Sequence, residues 1–135
     1  MRHRSTIIDP RVPGGRYLVD GGGDEGVEII MVITEQAFMQ QVIDLARWYK
    51  WRVAHFRPAM TKQGRWVTAV QADGIGFPDL VMCRSTRLIF AELKSEKGKV
   101  TKEQTDWFFA LTLVRFVEVH IWRPRDIDEI DDTLK

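Results

Sequence analysis

Cysteine is all but absent from this chain: Cys83 is the only one in 135 residues. No internal disulfide can staple it, and a zinc site built on several thiolates is excluded. A lone thiol fits a reducing compartment. Set in an apolar run, Cys83 reads as a small buried hydrophobe, with a reactive thiol as the alternative. Long hydrophobic runs are missing as well, and none approaches the ~20 residues a membrane span requires. Met1-Arg2-His3-Arg4 does not open a signal peptide, so a cytoplasmic protein with no membrane partner is expected. Internal repeats and low-complexity blocks are lacking. An excess of either charge is also lacking, because the formal net charge is only +1.

What is present is a hydrophobic fraction of 44% and a charged fraction of 29%. That is the make-up of a soluble globular chain with room for one domain. The charge is unevenly spread. Between Leu45 and Ala72 stand Arg47, Lys50, Arg52, Arg57, Lys62 and Arg65 with no acid among them, a candidate phosphate-contacting surface or, more plainly, a solvated basic face. Asp126, Asp128, Glu129, Asp131 and Asp132 balance the sum from the other end. Residues 1–26 contain Pro10, Pro13, Gly14-Gly15 and Gly21-Gly22-Gly23 without sustained periodicity. They read as a flexible, mildly basic arm ahead of one domain over 27–135, with Val27 to Ile33 as an extended lead-in.

Thr34 is a good N-cap for a helix over Glu35 to Lys50. At 100° per residue Phe38, Met39, Val42, Ile43, Leu45, Ala46 and Tyr49 make one apolar arc. Glu35 falls at the middle of that arc, so its carboxylate is expected to point inward and to need a partner. Its plainer alternative is a first-turn acid on the helix dipole, worth up to ~1 kcal/mol. Trp51 to Arg57 reads as the first core strand, with Val53, His55 and Arg57 on one face and Arg52, Ala54 and Phe56 on the other. His55 is either structural or within reach of a phosphate. Pro58 to Arg65 is a loop carrying Lys62 and Arg65, and Trp66 to Gln71 is a further strand. Ala72-Asp73-Gly74-Ile75-Gly76 is a glycine-rich turn through which backbone can approach a phosphate; Asp73 adds a carboxylate there or simply serves the turn.

The informative stretch follows. Val81-Met82-Cys83 and Leu88-Ile89-Phe90-Ala91 favour strands, and Arg84-Ser85-Thr86-Arg87 between them is short and polar. A tight hairpin centred on Ser85-Thr86 pairs residues whose numbers add to the same total, which sets Asp79 opposite Glu92. Opposed side chains have Cβ atoms roughly 4.5–5.5 Å apart, and alternation brings Lys94 to the same face. Ser-Thr is not a favoured tight-turn pair, which counts against this register. Two carboxylates at that spacing bind a cation, share a proton or find positive partners. Oxygen ligands without a Cys or His cluster suit Mg²⁺ or Mn²⁺, beside which Lys94 could position or deprotonate a water. An ordinary exposed ion pair is the competing reading.

Beyond Lys94, a polar loop holds Lys97 and Lys99, and Thr101-Lys102-Glu103-Gln104 is a capping-box sequence opening a helix. Trp107, Phe108, Leu111 and Val114 form its apolar arc with Gln104 central. Gln104 is then a cap, a site residue, or both, since this helix must start near the strand that carries Lys94. Phe116 to Trp122 is a last strand, and Ile127, Ile130 and Leu134 pack a short acidic helix on the domain.

Gly76-Phe77-Pro78-Asp79-Leu80, then Glu92-Leu93-Lys94, then Gly98-Lys99-Val100-Thr101-Lys102-Glu103-Gln104 before an aromatic helix resembles the PD-(D/E)xK nuclease superfamily. Within it the chain is most similar, from about Thr34 to Trp122, to the phage-type VRR-Nuc domains, which are themselves similar to Holliday junction resolvases. One departure is Leu113-Val114-Arg115 where the family has a helix-ending glycine. The resemblance implies an α/β restriction-endonuclease-like fold, a mixed central sheet flanked by helices. It implies that Asp79, Glu92, the Leu93 backbone carbonyl and Glu35 hold Mg²⁺ or Mn²⁺, with Lys94 and Gln104 completing the catalytic set. Arg52, His55, Arg57, Lys62, Arg65, Lys97, Lys99 and Lys102 would contact DNA. The implied activity is endonucleolytic hydrolysis of DNA, first of all branched DNA such as a four-way junction, by a homodimer in the cytoplasm, or the host's cytoplasm if phage-encoded. Flap or nicking cleavage, and a DNA-binding module that does not cut, are the alternatives.

Overall fold

A four-stranded mixed sheet organises the chain. The structure is a computed structural model that describes residues 3–8, 16–21, 33–56 and 59–135, the first two ranges as backbone. In order the elements are β1 (His3–Ile8), β2 (Arg16–Gly21), α1 (Glu35–Trp48), β3 (Arg52–His55), β4 (Ala59–Met60), β5 (Trp66–Val67), β6 (Leu80–Arg84), β7 (Arg87–Leu93), α2 (Lys102–Thr112), β8 (Val117–Trp122), a 3-10 turn (Pro124–Asp126) and α3 (Ile127–Leu134). The sheet runs β3-β6-β7-β8. Its first two pairings are antiparallel, and β7 pairs β8 in parallel through the α2 crossover. The protein is therefore a mixed α/β domain with helices flanking a mixed sheet.

Cross-strand register assigns the two faces. Val53, Leu80, Met82, Ile89, Ala91, Leu93 and Trp122 share one face, and α1 and α3 cover it with Phe38, Val42, Ala46, Ile127, Ile130 and Leu134. Each of the larger of these apolar side chains contributes ~1.5–3 kcal/mol by leaving water. Ala54, Val81, Cys83, Leu88, Phe90, Glu92, Val117 and Val119 share the other face. Among the described helices α2 packs there, and none of its residues is fully buried. This unequal cover corrects the expectation for Cys83, which is exposed: it sits at the end of β6 beside Arg52 of the edge strand, away from α2.

Three further expectations change. The core strand ends at His55, and Arg57 lies outside the described residues. The strand expected over 66–71 shrinks to Trp66–Val67, which pairs with Ala59–Met60 inside the supposed loop. Within the N-terminal 26 residues, His3–Ile8 and Arg16–Gly21 pair as an antiparallel two-stranded sheet where a structureless arm was expected. Ser5-Thr6-Ile7-Ile8 and Tyr17-Leu18-Val19 have the β-branched and aromatic content that strands favour. The rest of that arm, and Val27 to Val32 of the lead-in, lie outside the described residues. No helix among the described residues is long and apolar enough to cross a membrane.

Candidate metal centre

The hairpin β6-β7 has the expected register. Leu80 pairs Ala91 and Arg84 pairs Arg87 around a two-residue turn. Ser85 accepts a positive φ of 54° to make that turn, which is how an unfavoured Ser-Thr pair still closes it. One step beyond the last paired residues, Asp79 stands opposite Glu92. The ladder stops at Leu80, and beyond it the Leu93 N–H donates to a side chain in place of a backbone carbonyl: the Asp79 Oδ2, at 2.9 Å. The same carboxylate that faces Glu92 is thus fixed by the strand that carries Glu92.

Glu92 is buried, with 6% of its surface exposed, and no other charged side chain among the described residues is. Its Oε1 accepts from Gln104 Nε2 at 2.6 Å and lies 3.8 Å from Lys94 Nζ. Its Oε2 is buried with no hydrogen-bond partner. Burial foremost, then the negative charge of Asp79, push the Glu92 carboxyl up to about 8, while Lys94 pulls it down in part. A lone pair aimed into a buried spot beside a second acid is costly unless a cation or a proton occupies it.

Gln104 joins this pair to α2. Its Oε1 accepts from the Thr101 N–H at 2.9 Å and its own N–H donates to Thr101 Oγ1 at 3.2 Å, so the capping box is closed. The remaining amide NH₂ reaches Glu92. Capping and site contact are therefore one arrangement of one side chain. Gly76 sets how near α2 can come: a Cβ built there would lie 2.5 Å from the Glu103 carbonyl carbon and 2.7 Å from the Gln104 nitrogen. Phe77, next along, meets Phe56, Phe90 and Trp107 edge to face at 5.6, 5.9 and 5.0 Å. Trp107 Nε1 donates to the Asp73 carbonyl at 2.8 Å, so Asp73 serves the turn through its backbone.

Glu35 is not drawn in. It occupies the core-facing direction of α1, yet it is exposed, because side chains of a first turn lean past the helix end. Thr34 caps that end by accepting from Ala37 N at 3.1 Å. Three residues join α1 to β3, on which it packs, so Glu35 stands at the Asp79 end of the sheet. Among the described residues no three His, Cys, Asp or Glu side chains gather as a metal-holding group. Mg²⁺ does not require three, since one or two carboxylates with water and substrate phosphate suffice. The buried, unpartnered Glu92 Oε2 beside Asp79 fits such an ion.

The expected DNA contacts are scattered. Arg52, His55, Lys62, Arg65, Lys97, Lys99 and Lys102 are all exposed, but Lys102 is paired with Asp106 at 2.8 Å. Arg52 is on the Cys83 end of the edge strand and His55 on the opposite face, so the basic stretch is not one stripe. Arg123 was missed by sequence reasoning. Its Nη1 donates to the carbonyls of Ser95, Glu96 and Gly98 at 2.7, 3.3 and 2.7 Å, which holds the loop bearing Lys97 and Lys99 beside Lys94. A strand-ending arginine before a proline gave no signal of that. No family model, no curated protein and no solved structure matches the chain.

Proposed function

We propose that this protein is a metal-dependent endonuclease that hydrolyses DNA phosphodiester bonds, built on a small version of the restriction-endonuclease-like fold. The observation that carries the reading is the buried, unpartnered Glu92 Oε2 beside Asp79. Asp79, Glu92 and the Leu93 carbonyl would hold Mg²⁺ or Mn²⁺. The bound ion would supply Lewis-acid stabilisation of the charge that develops on the phosphate and the leaving oxygen. Gln104 keeps Glu92 in place and leaves Oε2 free to bind. Lys94, with its ammonium 3.8 Å from Glu92, orients the attacking water at the rim of the pair. Lys97 and Lys99, on the loop held by Arg123, draw the strand toward that end of the sheet. Branched DNA handled by a homodimer is the first substrate to try, and flap or nicked DNA the next. One observation favours a second reading, a DNA-binding module that does not cut: among the described residues no third acid joins Asp79 and Glu92 at the centre.

The deciding experiment incubates labelled linear, flapped and four-way-junction DNA with the protein in Mg²⁺, Mn²⁺ or EDTA, beside Asp79→Ala and Lys94→Ala. Cleavage that needs the metal and vanishes in both variants, with DNA binding retained, is the expected outcome. Cleavage that survives either substitution refutes these roles, and binding without cleavage by the unaltered protein selects the second reading.

A further inference from the structure

Next to the acid pair lies a surface that the cleavage chemistry does not use. The β4-β5 hairpin turns its apolar residues outward: Trp66 is 65% exposed and its cross-strand partner Met60 is 56% exposed. Phe56, at the end of the edge strand, is 48% exposed. Between hairpin and edge strand runs an open groove of about 550 Å³ lined by His55, Phe56, Ala59, Met60 and Val67 among others. An isolated two-stranded hairpin is marginal in water, and folding alone gives no reason to hold a tryptophan out on one.

The occupant is indicated by charge and by position. The turn of this hairpin carries Lys62 and Arg65, both exposed and neither in an ion pair among the described residues, in a stretch with no acid from Leu45 to Ala72. An apolar protein partner would gain nothing from two unpaired cations beside its contact, whereas a polyanion with flat faces would use both. One wall of the groove is tied to the candidate centre, because the Phe56 N–H donates to the Asp79 carbonyl at 3.0 Å and Phe56 packs on Phe77. Exposed aromatics interleaved with cations are the means by which proteins hold unpaired nucleotides, with bases stacked on rings and phosphates on the basic side chains. Stacked base pairs of an intact duplex offer no free face to a ring.

We propose that Trp66, with Met60 and Phe56, forms a stacking platform for unpaired bases of a DNA strand whose phosphates are met by Lys62 and Arg65. Resting on the nuclease reading above, this makes the substrate one with a single-stranded segment next to the scissile bond. A splayed branch or a flap has that segment; an unbroken linear duplex does not.

Fluorescence-anisotropy titrations of the full chain test it, with a labelled oligothymidine and a blunt duplex of equal length, in EDTA so that nothing is cut. Trp66→Ala should weaken binding of the single strand by about 5- to 150-fold, the range for losing one base–aromatic stack, and leave duplex binding within about twofold. Trp66→Phe should keep most of the affinity, because a smaller ring still stacks. Equal losses on both DNAs, or none, overturn the platform. So does a change in the solution mass of Trp66→Ala, which would make the patch a contact between copies of the chain. Cleavage in Mg²⁺ is scored apart from binding. Cutting by the unaltered protein with single-strand affinity indifferent to Trp66 sinks the platform and spares the nuclease reading. Trp66-dependent binding without cutting does the reverse.

Discussion

Two glycines offer a controlled perturbation of the centre. Gly76 and Gly64 both have positive φ, 83° and 80°, so an alanine at either bears the same backbone penalty of about 1–2 kcal/mol. They differ in their surroundings. A Cβ at Gly64 meets nothing within 4 Å, whereas one at Gly76 would sit 2.5 Å from the Glu103 carbonyl carbon and 2.7 Å from the Gln104 nitrogen. Restoring ordinary contact requires the start of α2 to retreat by about 1 Å. The Gln104–Glu92 bond, 2.6 Å long, would stretch to about 3.6 Å and cease to be a hydrogen bond. A bond to a charged or proton-sharing acid is worth about 1.5–3 kcal/mol. Gly76→Ala is therefore expected to lose roughly 3–5 kcal/mol in urea denaturation, and Gly64→Ala only the backbone part. On the proposed nuclease reading, metal-dependent cleavage should fall at least tenfold in the first variant and stay unchanged in the second. If the two variants lose the same stability and keep the same activity, α2 does not position Glu92 through this contact and the account of the centre is wrong.

The raised pKa of Glu92 carries its own sign. Because the folded value of about 8 lies above the ordinary 4.5, folding takes up a proton between those limits; in EDTA, stability should be full below pH 4.5 and decline as pH rises through 8. The upper bound on that decline is on the order of 5 kcal/mol. Denaturation curves from pH 4.5 to 9 should show it in the unaltered protein, and Glu92→Gln, which still accepts from Gln104, should remove it; a slope that persists in the variant assigns the effect elsewhere. Phe116 holds φ at 64° with its ring 86% exposed. Phe116→Gly should accordingly gain about 1 kcal/mol, or about 4 °C in Tm by calorimetry, and a loss of stability would mean that the ring packs on something that matters.

The parts of the fold that could be read in advance are those where periodicity acts over several residues with a definite partner. The pairing of Asp79 with Glu92 was legible because a two-residue turn leaves a hairpin almost no choice of register, and the strained Ser85 shows that strand pairing overrode the turn's own preference. The double duty of Gln104 was legible for a similar reason: the capping box pins its backbone to the end of the strand crossover, and only one side of that helix faces the sheet. Glu35 was misjudged because a helical wheel gives direction around the axis and says nothing of where the covering sheet ends. Cys83 was misjudged in the same way, since alternation tells which face a residue is on and not whether a helix covers it. The two-residue strands β4 and β5 are too short for any period to register, and the long-range hold of Arg123 on the Ser95–Gly98 carbonyls depends on contacts some 25 to 28 residues apart in the chain. For Glu35 and Cys83 alike, what escaped was the extent of cover. The side of the sheet that, among the described residues, carries one helix over four strands is therefore where an account built from sequence alone is least complete, and it is the side that holds Glu92 and Arg52.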